Sequence, residues 1–245
     1  MTAVINLQNI VRVNYELHLM DEVLEAVAQS DLQEVPFIKL YYHLCILLKE
    51  DDEQHFEILK SLLESYTDVL ANDEIRHIYT ALANYCTKKI KNGKIEYLKE
   101  LFELYKAMLS ENILMIDKYI QPYNYKNIAM AALKLKEYDW AKWFIEEYRL
   151  KVHPKSRADV YNYCLALLYF HLKNYKKAGQ YLMTVELLDP YFYINYKMLH
   201  IKTYYEEAEF EPLKSSLDAL RQYIRRDKVM SVSYTHLTLP TRRFV

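Results

Sequence analysis

Two segments decide the fold: residues 123–145, YNYKNIAMAALKLKEYDWAKWFI, and residues 161–182, YNYCLALLYFHLKNYKKAGQYL. Each segment holds two apolar stripes at the spacing of an α-helix. The segments match at a constant separation of 37 residues, which pairs Ala129 with Ala166, Leu135 with Leu172, Tyr138 with Tyr175, and Ala141 with Ala178. A fixed period in the mid-thirties that is filled by two helices is typical of a helical solenoid.

Apolar stripes of the same kind run along nearly the whole chain, with short polar or proline-bearing breaks between them. Proline is tolerated in the first turn of a helix but not in its middle, so prolines that precede a new stripe mark helix starts: Pro36, Pro122, Pro154 and Pro190. The pattern predicts six helix pairs: 4–17 with 20–29, 36–49 with 53–68, 73–90 with 94–109, 122–135 with 138–150, 156–172 with 175–188, and 191–206 with 210–226.

Composition supports an all-α fold. Apolar residues make up 52% of the 245 residues, which is enough to fill a sizeable core. The chain has only two glycines, Gly93 and Gly179, so it has no glycine-rich loop that could hold a phosphate, and few of the β-turns that hairpins need. These counts exclude nucleotide-binding loops of the P-loop and dinucleotide types.

Charge and cysteine content limit the choice of partner and compartment. The 32 basic and 33 acidic residues give a net charge of −1, which favours neither nucleic acid nor an anionic membrane as a partner. The three cysteines, Cys45, Cys86 and Cys164, are widely spaced in apolar runs and are expected to be small buried hydrophobes in a reducing compartment. Neither a secretion signal nor a membrane span is predicted, so a cytoplasmic protein is expected if Met1 is the true start.

One stretch, residues 162–190, resembles the tetratricopeptide family position by position. Leu165 and Ala166 stand where the family has its Leu-Gly pair, and Tyr169 stands at the aromatic position of the first helix. The match continues through the second helix with Tyr175, Ala178 and the closing Asp189-Pro190. The preceding unit keeps Ala129, Tyr138 and Ala141, and the following unit keeps Tyr204.

The resemblance implies a right-handed α-solenoid of about six antiparallel helix pairs over residues 1–230, with the first helices lining a concave face. A partner would then contact the first-helix residues of the two best-matched repeats: Tyr123, Lys126, Met130, Lys134, Val160, Tyr163, Leu167, Phe170 and His171. The paired basic and asparagine residues with which some members clamp a terminal carboxylate are not evident, because Lys126 is followed one repeat later by Tyr163. A peptide C-terminus is therefore not the expected ligand.

No pattern in the sequence indicates an enzyme. The eight histidines are scattered and form neither an HExxH motif nor a ligand pair at helical spacing, so no metal site, catalytic constellation or cofactor is expected. The leading hypothesis is a non-enzymatic scaffold that binds a protein or peptide on the concave face. A second is a repeat arm of a larger enzyme or regulator whose functional domain is missing here. A third is RNA binding, against which the charge balance argues.

The last residues do not belong to this pattern. Ser231–Val245 reads SVSYTHLTLPTRRFV, has no acidic residue and breaks the helical spacing. Its core, VSYTHLTLPT, resembles a translated transposon-end sequencing adapter. Residues 231–245 are therefore expected to be a non-native, disordered tail, and the native gene is expected to run past Met230 with further helices.

Overall fold

The computed structural model describes residues 19–66, 70–186 and 190–226. Within these ranges the chain forms eleven α-helices, two short 3-10 helices and two strands of two residues each. The prediction of an all-α fold is confirmed. The predicted helix 4–17 and the tail 231–245 lie outside the described residues and stay predictions.

The chain divides into two compact units, with the division between Ile116 and Asp117. The described part of the first unit contains α1 (Met20–Ala28), a 3-10 helix (Asp31–Glu34), α2 (Pro36–Glu50), α3 (Glu53–Tyr66), α4 (Asn72–Lys91), α5 (Tyr97–Ser110) and the strand β1 (Met115–Ile116). Helices α2 and α3 pack as one hairpin and α4 and α5 as another, and α2 also contacts α4. This arrangement buries one apolar stripe of each helix.

Three aromatic rings pack together in the core of the first unit. The ring of Phe56 on α3 lies 5.5 Å from that of Tyr85 on α4 and 5.7 Å from that of Tyr97 on α5. Lys89 extends past these rings to Asp51 and Glu53, with its Nζ 3.1 Å from a carboxylate oxygen of each. A buried ammonium group is tolerated here because both acids compensate its charge.

The second unit contains the strand β2 (Tyr119–Ile120), α6 (Pro122–Lys134), α7 (Tyr138–Glu147), a 3-10 helix (Arg149–Lys151), α8 (Pro154–His171), α9 (Tyr175–Leu182), α10 (Pro190–Glu206) and α11 (Phe210–Arg226). Helices α6 and α7, α8 and α9, and α10 and α11 pack as three consecutive hairpins. Helix α8 also contacts α6, α7 and α10. The first helices α6, α8 and α10 thus form a row with α8 in the middle.

Small residues allow the helices of the second unit to approach closely. Ala129, Ala166, Ala141 and Ala178, which match one another between the two segments, are all 0% exposed. Ile120 forms a parallel bridge with Val152, and both side chains are fully buried. The starts of α6 and α8 are therefore held side by side.

The first helices of the second unit all end in the same turn. Lys136, Lys173 and Ala208, which follow α6, α8 and α10 at separations of 37 and 35 residues, have φ angles of 65°, 59° and 56°. After α8, the Lys173 N–H donates to the Phe170 carbonyl and the next N–H donates to the Tyr169 carbonyl, at 3.0 and 2.9 Å. This is a Schellman turn, which usually has glycine at the left-handed position.

The predicted helix boundaries differ from the structure mainly at the ends of second helices. Helix α7 ends at Glu147 and continues as a 3-10 helix, whereas the prediction extended it to 150. Helix α9 ends at Leu182 and not at 188, because the backbone turns through Met183 and Thr184. The predicted proline starts are confirmed, since α2, α6, α8 and α10 begin at Pro36, Pro122, Pro154 and Pro190.

Candidate functional site

Side chains on the first helices of the second unit, α6, α8 and α10, make up what we call the first-helix face. It consists of six residues from α6 and α8 that the sequence predicts and one residue from α10: Tyr123, Lys126, Met130, Lys134, Phe170, His171 and Lys202. All of them are half-buried or exposed. Residues 123, 126, 130 and 134 lie on one stripe of α6, because three- and four-residue steps stay on one side of a helix.

At one end of this face, Lys126 lies over an exposed tyrosine. Its Nζ is 4.9 Å from the centre of the Tyr123 ring, and Tyr123 is 59% exposed. Burial lowers the pKa of Lys126, and the nearby positive charge of Lys134 lowers it further. Within the described ranges, no carboxylate lies close enough to form an ion pair with Lys126.

Three residues of the predicted site are covered by the helices around them. Val160, Tyr163 and Leu167 are 2%, 2% and 3% exposed. The ring of Tyr163 packs edge-on against that of Phe192 on α10, with 6.1 Å between ring centres. These three side chains are almost wholly shielded from solvent in this arrangement, and whether they take part in binding stays a prediction.

Phe170 and His171, at the end of α8, occupy the middle of the face. The Phe170 ring packs edge-on against Tyr175 of α9, with 5.3 Å between ring centres. Burial lowers the pKa of His171, and the positive charges of Lys134 and Lys202 add to this effect. His171 therefore lies between a lysine of α6 and a lysine of α10.

The sequence-based site did not include Lys202. The signal for it was present: matching Tyr204 of α10 with Tyr169 of α8 places Lys202 at the position of Leu167, which was predicted to contact a partner. Lys202 is exposed, whereas Leu167 is buried. The hairpin of α10 and α11 therefore contributes a charge where the hairpin of α8 and α9 contributes packing.

In the first unit the structure brings together histidines that the sequence left apart. His43 on α2 and His55 on α3 face each other with 2.8 Å between their Nδ1 atoms. Burial lowers the pKa of His43 to about 4, and repulsion from His55 and Lys39 adds to the shift. Two nitrogens at this distance form a hydrogen bond only if one carries a proton and the other does not.

Nearby in the first unit, Tyr41 links α2 to α4. Its hydroxyl donates to Glu74 and lies 3.1 Å from Nδ1 of His77. Burial raises the pKa of Tyr41, and the Glu74 carboxylate raises it further. The tyrosine thus stays protonated and acts as a hydrogen-bond donor between helices.

A groove of about 430 Å³ opens between α3, α4 and α5 of the first unit. Its two lysines are both in ion pairs, Lys60 with Glu100 and Lys106 with Glu103. The lining also contains a third acid, Glu64, so the groove has three acidic and two basic residues, in contrast to the first-helix face of the second unit.

The described ranges contain neither a cluster of metal ligands nor a membrane span. Nowhere in them do three His, Cys, Asp or Glu side chains converge as a metal site would require. Each helix that the structure describes is either too short or too polar to cross a membrane. The cysteines Cys45, Cys86 and Cys164 are free and buried, as predicted.

Comparisons with protein-family models, with curated proteins and with solved structures gave no match to this chain. The fold itself defines the class as an all-α protein built from packed helical hairpins. Functional inference therefore rests on the first-helix face and its chemistry.

Proposed function

We propose that the chain is a non-enzymatic scaffold that binds another protein or a peptide on the first-helix face of its second unit. One observation carries this proposal: the helices α6, α8 and α10 pack side by side, and partly or fully exposed aromatic, methionine and lysine side chains lie on them. Tyr123 is 59% exposed, Met130 and Phe170 are half-buried, and Lys134 is exposed. Aromatic residues and methionine are enriched where proteins bind one another.

We further propose that these helices belong to a right-handed, tetratricopeptide-like solenoid of about six antiparallel pairs. Two features support it: the Schellman turns recur at 37 and 35 residues, and the matched alanines are buried between helices. The hypothesis of an arm of a larger enzyme or regulator would use the same face and stays a prediction.

A display selection with a random peptide library tests the proposed function. The full chain is immobilised, selected peptides are resynthesised, and their affinities are measured by fluorescence anisotropy. Tyr123→Ala is expected to weaken binding by about tenfold, as truncation of an exposed aromatic anchor does at a binding site.

The matched control is Trp143→Ala on the second helix α7, where the ring is 50% exposed. This variant should bind the selected peptides as the original chain does. Equal loss in both variants, or no loss in Tyr123→Ala, would place the binding surface elsewhere. A library that yields no binding peptide would refute the proposed function.

A further inference from the structure

Basic residues are concentrated on the first helices of the second unit, although the whole chain has a net charge of −1. Helices α6, α8 and α10 contain six lysines and arginines but only two acidic residues, Asp159 and Glu206. The basic residues are Lys126, Lys134, Lys155, Arg157, Lys197 and Lys202. The balanced total therefore conceals a local excess of positive charge.

Of the two acids on these helices, Asp159 lies on α8 and Glu206 lies one turn after Lys202 on α10. Asp159 accepts a hydrogen bond from the backbone N–H of Glu186, at 2.7 Å. Burial raises the pKa of the Tyr175 hydroxyl on α9, and the nearby Glu206 carboxylate raises it further. Neither acid forms an ion pair with a described lysine of the first helices.

Four cationic or ionisable groups, Lys126, Lys134, His171 and Lys202, form what we call the basic row. Helix α8 packs against both α6 and α10, so His171 lies between the lysines of its neighbours. Like charges lower the pKa of Lys126 and of His171, in addition to the effect of burial. No described carboxylate forms an ion pair with these groups, so a ligand that brings carboxylates would be attracted to them.

We propose that the basic row binds an extended, acidic segment of another protein, a conclusion that rests on the proposed function and specifies its partner. Neighbouring helices lie roughly 10 Å apart, so Lys134 and Lys202 are separated by about two helix spacings, or about 20 Å. An extended chain covers this span in about six residues. The segment should therefore carry acidic groups about six residues apart, with apolar residues between them to contact Met130 and Phe170.

An acidic protein segment is favoured over a nucleic acid. The row has few cations, and Met130 and Phe170 interrupt it. A protein that binds nucleic acid presents a continuous basic stripe along the phosphate backbone. A net charge of −1 also gives no long-range attraction for a polyanion.

Fluorescence anisotropy with the full chain tests this inference using three labelled probes. One is a peptide with glutamates about six residues apart and leucine and phenylalanine between them, the second has glutamine in place of glutamate, and the third is a single-stranded RNA. The acidic peptide should bind at least about tenfold more tightly than its glutamine analogue and lose affinity as salt is added.

Charge reversal identifies the surface. Lys134→Glu with Lys202→Glu should weaken acidic-peptide binding by about tenfold or more. The matched control reverses two exposed lysines of second helices, Lys142 and Lys176, and should change the affinity by less than about threefold. Circular dichroism confirms that each variant is folded.

Three other results of these binding measurements would contradict the inference. If the glutamine peptide binds equally well, or if the control reversal has the larger effect, the acidic partner is refuted while peptide binding survives. RNA binding without peptide binding overturns the inference in favour of a nucleic-acid ligand. If neither designed peptide binds, the acidic segment is refuted, and the random-library selection alone decides whether the proposed function also falls.

Discussion

Replacing Ala178 with leucine should destabilise the second unit, because Ala178 is 0% exposed in α9, which packs against both α8 and α10. The larger side chain adds three carbon atoms where no solvent-accessible space exists. Overpacking of this kind costs about 1–3 kcal/mol. Because the free energy of unfolding falls by about 1–3 kcal/mol per molar urea, the urea concentration at the unfolding midpoint should fall by about 1 M.

The neighbouring residue, Gly179, provides a control variant that should raise stability instead of lowering it. A Cβ on Gly179 would lie 3.7 Å from Oε2 of Glu207 and 3.8 Å from Cγ2 of Thr203, which are ordinary contacts. Gly179→Ala should therefore stabilise α9 by up to about 1 kcal/mol through helix propensity.

The assay is urea unfolding followed by tryptophan fluorescence, which reports on the second unit because both tryptophans of the chain, Trp140 and Trp143, are in α7. An unchanged midpoint for Ala178→Leu would show that Ala178 is not in the helix contact. Equal destabilisation by Gly179→Ala would show that α9 tolerates no added atoms, and the difference between the two sites would be refuted.

Three further predictions concern pH, a buried hydrogen bond and the turns. The pKa of His43 falls from 6.5 to about 4 on folding, so its contribution to stability should be full above pH 6.5 and decline as pH falls toward 4. His43→Gln removes the contact with His55 and should flatten this pH dependence, measured by urea unfolding at a series of pH values. Tyr125→Phe leaves a buried carbonyl of α7 without its donor and should cost about 1–3 kcal/mol, measured by tryptophan fluorescence during urea unfolding. Gly93→Ala places alanine at a φ of 94°, and because the added Cβ would have no neighbouring atom within 4 Å to contact, the change should cost about 1 kcal/mol of stability. Lys173→Gly relieves the same kind of backbone strain at a φ of 59° and should raise stability by a similar amount in thermal unfolding.

Much of the fold could be predicted because its signals are local. The spacing of apolar residues locates the helices, and proline marks the starts of α2, α6, α8 and α10. The end of α9 could not be predicted, because Met183 and Thr184 have no strong preference against helix. Residues of α8 contact this turn: Asn162 donates to the Thr184 hydroxyl, and Asp159 accepts from the Glu186 N–H.

The candidate site could be predicted only in part, because burial and charge distribution are properties of the packed structure. Tyr163 has the spacing of a face residue, yet Phe192 covers it from another helix. His43 and His55 are twelve residues apart and meet only because the α2–α3 hairpin closes. The net charge of −1 does not reveal the basic row, since all but two of the described acids lie outside α6, α8 and α10.

The turns after α6, α8 and α10 have a consequence for how this protein folds. Their left-handed residues are Lys136, Lys173 and Ala208, all of which prefer to continue a right-handed helix. A peptide cut from this region should therefore let its first helix run on through the turn. Each first helix therefore ends at its turn only when the second helix of its hairpin docks against it. Local structure and tertiary contacts must then form together, so we expect the second unit to fold cooperatively, one whole hairpin at a time.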